Sequence, residues 1–210
     1  MFTCGVPRDL VTFNQIVGWD QAIFGKSSLS PDRAKQLFQK RPEIYTAILN
    51  SSGWTVAYSD VYPLQASWAQ LFVAGEISEG DFTADMVLDK TDDHEHCHFY
   101  VGSVVVDPTF DPIMKAVLMG GLLRWRAHQF QSWYLRRVSL LFCPVTPAGQ
   151  KLVARVRAAK LGHSTNRKDG HNLYGLRTTP SALHDFAIAI DGFLTAEVIR
   201  LNLNEPLQCA

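Results

Sequence analysis

Several absences narrow the role of this chain before anything present in it does. Its four cysteines, Cys4, Cys97, Cys143 and Cys209, are widely scattered and none forms a CxxC pair, so neither a disulfide framework nor a zinc ribbon is indicated. No apolar run approaches the roughly 20 residues of a membrane-spanning helix. The opening MFTCGVPRDL has one arginine and one aspartate before any apolar run and does not read as a secretory signal, so a reduced, cytoplasmic protein is expected. Twenty bases balance twenty acids, so net charge points to no polyanionic partner. A further absence is local. The strand-like YVGSVVVDP runs into an apolar helix through the loop Thr109 to Lys115, which contains no glycine. Strand, short loop and helix N-terminus form a common phosphate cradle, here without the residue that lets backbone approach phosphate closely.

What is present is a chain of 210 residues, 47% apolar and 19% charged, long enough to bury a sizeable core. Its charges are unevenly spread. Residues 76 to 95 hold eight acids against Lys90, and residues 124 to 168 hold ten bases and no acid. The two segments read either as solvated faces that attract each other or as surfaces for charged ligands. The basic one lacks the interleaved aromatics of a single-strand nucleic-acid platform, so nucleic acid is not expected.

Local patterns give an element order. Ser30, Pro31 and Asp32 suit the cap and first turn of a helix ended by Pro42. IYTAILN and WTVAYSDVYPL flank SSG as a hairpin. QASWAQLFVAG reads as a short helix capped by Gly75, and the acidic stretch after it as a loop with a short strand. HCHFYVGSVVVD reads as a strand covered on both faces. The next helix carries Met114, Val117, Leu118, Gly121, Leu122 and Trp125 on one stripe, with Lys115, Arg124 and Arg126 elsewhere. VSLLFCPV is another strand. A helix then starts at Thr146 and Pro147, with Leu152, Val153 and Val156 as its stripe, and closes at Gly162. Asp169-Gly170 turns the chain into the strand HNLYGLR. Residues 1–178 are expected to form one domain and residues 179–210 a helical appendage. The order predicts an α/β chain of the α+β type, with a mixed, mostly antiparallel central sheet and helices on both faces.

That order resembles the GCN5-related N-acetyltransferase (GNAT) superfamily over roughly residues 10 to 178. RPEIYTAILNSSGWTVAYSDVYPL is similar to the family's early hairpin, and VAGEISEGDF to the segment after it in some members. YVGSVVVDP resembles the central strand along which the pantetheine arm of acetyl-CoA lies, and TPAGQKLVARVRAAKLGHSTNRKDGHNLYGL the last helix and C-terminal hairpin. The resemblance implies acetyl-CoA or another acyl-CoA as cosubstrate, no metal, and an amine acceptor, small molecule or protein. It places the thioester along Gly102 to Val106, with Val104, Val105 and Val106 and the N–H groups of Met114, Lys115 and Ala116 holding the cofactor. The family's pyrophosphate loop reads Arg or Gln, two residues, Gly, one residue, Gly or Ala. Asp111 stands at its first position, Met114 at its first glycine and Ala116 at its last. Many members place an acidic tyrosine four residues before the glycine that ends the last helix, and that position here is Ala158.

Other residues carry chemistry with a bland alternative beside it. His94, His96 and His98 share one face of an extended chain, a pattern that binds Zn²⁺ or Ni²⁺ or simply edges a strand. His98 is a candidate general base. Glu76 and Glu79 attract an amine or serve as a base, or are solvated loop acids. Cys143 reads as a small apolar filler, and the five tryptophans as core. The expected function is an acyl-CoA-dependent N-acyltransferase. The alternative is an inactive binding or assembly module of the same fold, favoured by Asp111, Met114 and Ala158. The apolar tail residues Leu183, Phe186, Ala187, Ile190, Phe193, Leu194 and Ile199 are expected to be covered, by the chain's own sheet or in a homodimer.

Overall fold

A computed structural model of the chain describes residues 2–25, 28–89, 96–132, 137–200 and 208–209. The hairpin forms as its turn chemistry demands. Strands β2 (Tyr45–Asn50) and β3 (Thr55–Leu64) pair antiparallel. Gly53 takes φ 77, and the Asn50 side chain accepts the N–H groups of Ser52 and Trp54. Strand β4 (His96–Val106) adds antiparallel to β3. Helix α4 (Pro112–Ser132) carries the chain over to β5 (Arg137–Phe142), parallel to β4. Strands β6 (Ala159–Gly162) and β7 (Leu173–Thr178) close that side. On the other side β1 (Phe2–Gly5) pairs with β2, and β8 (Gln208–Cys209) pairs parallel with β1. The sheet runs β6-β7-β5-β4-β3-β2-β1-β8, mixed and mostly antiparallel as expected. The N-terminal strand and β8 are additions that no sequence pattern announced.

Helices cover both faces. On one lie α1 (Leu10–Phe24), α2 (Pro31–Lys40) and α3 (Ala66–Ala74), with the caps expected at Ser30 and Gly75. Phe13, Ile16, Leu37 and Phe72 from these helices meet Tyr58, Tyr62 and Tyr100 of the sheet. The rings of Phe72, Phe82, Tyr62 and Tyr100 sit at 4.7 to 6.0 Å, mostly tilted or edge-on, the arrangement their quadrupoles favour. On the other face lie α4, α5 (Pro147–Arg155) and α6 (Pro180–Arg200). There Leu118 and Leu122 cover Cys4, Ile48 and Ala57, and Phe130 covers Val61, Phe99 and Val138. Among its described residues the acidic stretch holds two 3₁₀ turns and a single bridge, Leu64 to Val87, in place of a strand.

Four expectations are corrected. The helix expected to close at Gly162 ends at Arg155. Arg157 takes the left-handed conformation (φ 54), and residues 159–162 leave as β6. Gly175 leaves room for the exposed Leu161 side chain, whose Cγ would lie 3.1 Å from a Cβ there. The position four residues before the left-handed residue is therefore Val153, not Ala158, and it is buried and carries no hydroxyl. Arg126 is not on the solvated side of α4. It is 5% exposed and points into the sheet. Trp54 is not core but stands 62% exposed at the hairpin tip, and Trp19, Trp68 and Trp125 are only half-buried. Trp133 lies outside the described residues. The tail helix α6 docks on α4 through Leu183, Ala187, Ile190 and Leu194, spaced for one helical face. An Arg124–Asp191 ion pair ties the two helices together. Phe186 is 41% exposed, and the side chains of Phe193 and Ile199 lie outside what is described. No helix among the described residues is long and apolar enough to cross a membrane.

Candidate active site

The site begins where two strands part. Pairing of β4 with β5 runs from His96–Arg137 to Val101–Phe142 and stops, while β4 continues to Val106. A bulge sits at the branch point. Asp60 pairs with Ser103 and Val61 with Val101, which leaves Gly102 as the extra residue. A Cβ on Gly102 would strike the Asp60 carboxylate and come within 2.9 Å of Tyr62 Cε2, so glycine is required by close approach. Asp60 Oδ1 accepts the Ser103 N–H at 2.7 Å. The bulge flips the alternation beyond it. Val105 is buried on the α1 face, whereas Val104 and Val106 pack towards α4. With Ser103 and Asp107 donating towards β3, the N–H and C=O groups of Val104 and Val106 turn to the side β5 has left.

Two cavities open into this gap and meet at Phe24, Gly102, Cys143 and Val145. The one on the α1 face, about 170 Å³, is lined by Glu79, Tyr100, Gly102, Ser103, Cys143 and Asp169 among others. The one on the α4 face, about 310 Å³, includes Val101, Val104, Met119, Lys151, Leu152 and Arg155. Glu79 is held by the Tyr100 hydroxyl, which donates to its Oε2 at 2.7 Å. Removal from water pushes its carboxyl up to about 8, the Tyr100 bond works against the rise, and the charges of Asp20 and Asp169 add to it. Asp20 accepts the hydroxyls of Tyr58 (3.0 Å) and Ser103 (2.8 Å) and is raised by burial. Asp60, 2% exposed, is raised further by burial and by the charges of Asp20 and Glu79. Three carboxyls whose charges act on one another do not ionise independently, so they titrate as a group.

Cys143 lines both cavities, but burial and neighbouring Asp169 push its thiol up to about 12. It stays protonated at neutral pH and is no nucleophile.

The loop before α4 has its own anion. Asp111 Oδ1 accepts the N–H groups of Ile113 (2.8 Å) and Met114 (2.9 Å), and its carbonyl takes that of Lys115. Pro112 has none to give. The helix N-terminus that would hold a phosphate is capped by this carboxylate, whose pKa those bonds lower. Met114 packs against the cluster of Cys4, Leu118 and Leu122.

The other sequence candidates are dispersed. His98 lies three residues before the branch point, half-buried, and lines neither cavity. Its ring stacks on His96 at 4.6 Å, and burial and the neighbouring His96 lower its pKa. His96 Nε2 meets Ser139 Oγ at 2.8 Å, and His94 lies outside the described residues. No group of metal-ligating side chains occurs among the described residues. Glu76 is exposed beyond α3 and lines neither cavity. Of the bases, Arg126 gives all five N–H groups to neutral acceptors, Arg167 is buried against Phe72 and Asp169, and Lys168 pairs with Asp81. Lys151 and Arg155 remain on the cavity wall. Tyr100, Asp20, Asp60 and Ser103 were not anticipated. The available signal was an aspartate inside an otherwise apolar strand, YSDVYP, since a buried charge needs a reason.

No family model and no curated protein matches the chain in sequence. Solved structures do match in shape. A subunit of the NatC complex, bound to Gag peptide and CoA, superposes with a TM-score of 0.56 at 11% identity, covering 85% of this chain and 98% of that one. An agmatine N-acetyltransferase gives 0.53 at 12% identity, over 85% and 100%. A GNAT acetyltransferase from Staphylococcus aureus gives 0.52 at 8% identity, over 84% and 99%. The chain thus has the fold of the GCN5-related N-acetyltransferases.

Proposed function

We propose that the protein is an acyl-thioester-dependent N-acyltransferase whose general base is Glu79. One observation carries this reading: a carboxyl raised to about 8 faces a cavity that meets the parted strands at the Gly102 bulge. In this reading the thioester arm lies in the 310 Å³ cavity, against the free edge of Val104 and Val106, and the amine enters on the Glu79 side. An amine near neutral pH is mostly protonated, and a carboxyl with a pKa of about 8 is itself mostly protonated there, so the ionised form that attracts the ammonium and accepts its proton gains population as pH rises through about 8. The nitrogen attacks the thioester carbonyl, the C–N bond forms, and the C–S bond breaks. Glu79 takes one proton from the ammonium to free the attacking lone pair, and the second proton lost on amide formation passes through water to the departing thiolate, since Val153 and Ala158 supply no acid. Direct transfer relies on holding the two reactants in register across the bulge. His98 is displaced from the role of base by its distance along the strand.

Calorimetry with acetyl-CoA and longer acyl-CoAs tests the reading, and binding in the micromolar to low millimolar range is expected. No heat at millimolar ligand overturns it. A second reading, a binding module without catalysis, is favoured by the Asp111 cap. It predicts no CoA release with any amine even where CoA binds.

A further inference from the structure

The gap does not end at the 310 Å³ cavity. A larger one of about 390 Å³ adjoins it beneath α4, α5 and α6, and Val101, Val104, Phe142, Leu152 and Arg155 line both. Its interior wall is almost wholly carbon, from Val61, Leu123, Phe130, Leu140, Leu176 and Leu183. Of the two charged groups in its lining, Arg155 is exposed where the two cavities adjoin, and Arg126, set in the inner wall, is unavailable. Arg126 donates Nε to Ser59 Oγ (3.0 Å), Nη1 to Glu43 O (2.8 Å) and Gln129 Oε1 (2.7 Å), and Nη2 to Ile44 O and Ser59 O (both 2.6 Å). All five of its guanidinium hydrogens are spent, so an anion that passes Arg155 finds no charged donor on the inner wall. An alkyl chain needs none. It also restores dispersion contacts that an empty apolar void forfeits.

We infer that this cavity receives the acyl chain of the donor, so that the transferred group is a medium-length aliphatic acyl and not acetyl. The inference rests on the acyltransferase reading and names its substrate class. The branch point at Val101 to Val104 is where a thioester carbon would sit and is also the mouth of the apolar cavity. Asp111 has closed the helix N-terminus to phosphate, so grip on the donor shifts from its nucleotide end to its acyl end. If a methylene takes about the ~30 Å³ of a water in the liquid, a chain of about eight carbons needs roughly 240 Å³, which the cavity exceeds. In transfer the chain stays in place: the amide forms at its carbonyl, the thiol leaves, and the proton goes to the base.

The test is a calorimetric series with acetyl-, butanoyl-, hexanoyl- and octanoyl-CoA, and with acetyl- and octanoyl-pantetheine. Each added methylene is expected to tighten binding about fourfold, so octanoyl esters bind at least a hundredfold better than acetyl esters on either carrier. Ala127→Phe, which places a ring in the cavity, should level the series and leave acetyl-CoA affinity unchanged. Should that variant misfold by circular dichroism, the wild-type series decides alone. A flat or falling series in which acetyl-CoA still binds overturns this inference and leaves the acyltransferase reading standing. Silence from every thioester overturns both.

Discussion

At Glu79 a single hydroxyl and partial removal from water set the chemistry. The carboxyl lies near pKa 8 because burial opposes its charge, and the Tyr100 bond, which favours the charged form, holds it from rising further. Turnover should therefore climb with pH through about 8 and level off above. Glu79→Gln should lower kcat by about 10²- to 10⁴-fold and remove that limb. Tyr100→Phe removes a bond to the carboxylate, so the limb should move to higher pH, a change that a merely structural tyrosine would not produce. An unchanged limb in either variant removes Glu79 from the role of base. The same shift has a sign in stability. The folded carboxyl binds a proton more tightly than the unfolded one, so its contribution falls as pH rises from about 4.5 to about 8. The sequence marked Glu79 with Glu76 as candidates to attract an amine or act as a base, beside the alternative of solvated loop acids, and Asp81, two residues on and paired with Lys168, is an acid of the same stretch. What separates them is that Glu79 turns inward under Tyr100 while Asp81 turns out, a distinction made by tertiary packing and absent from any local pattern.

Among the elements, those set by short-range chemistry were legible. The Ser30-Pro31 helix start, the Gly53 turn and the Gly75 cap each depend on residues within a turn of one another, and each stands where the pattern put it. The end of α5 was not legible, because Arg157 takes a conformation usually left to glycine and β6 is held by β7, fifteen residues further on. The Gly102 bulge was likewise invisible, since Asp60 fills it from another strand. The start of α4 falls between these cases. The absent glycine was plain, but only the structure shows that Asp111 occupies the vacated donors. A double change, Asp111→Gln with Met114→Gly, should reopen them. CoA affinity is expected to rise at least tenfold, because N–H groups and the positive helix end become available to phosphate. Loss of the cap should also lower the melting temperature slightly. If calorimetry finds no gain in affinity from a folded double variant, the cap is not what limits nucleotide binding.

On the scale of the whole molecule, the decisive contact is that between the first crossover helix and the last helix. The tail after Thr178 looked appended because its sequence has no partner nearby, yet Leu183, Ala187, Ile190 and Leu194 are buried, and Val117 and Leu123 of α4 pack with the last two. Burial of the three large side chains among them is worth about 1.5 to 3 kcal/mol each. That sum, on the order of 5 to 9 kcal/mol, matches the entire stability of many domains. Removing α6 would also strip one wall from the 390 Å³ cavity, where Leu183 and Phe186 face the sheet. A chain truncated after Thr179 should therefore be insoluble, or should melt far below the full-length protein. Should it stay soluble and melt unchanged as a monomer while the full-length chain is a dimer by light scattering, the tail would serve a symmetric partner and not its own sheet. The docking on α4 argues for the first outcome. Ile188, 56% exposed on the same helix, is the residue a second copy would cover, and Ile188→Ser should leave the melting temperature nearly intact while dissolving any dimer that forms.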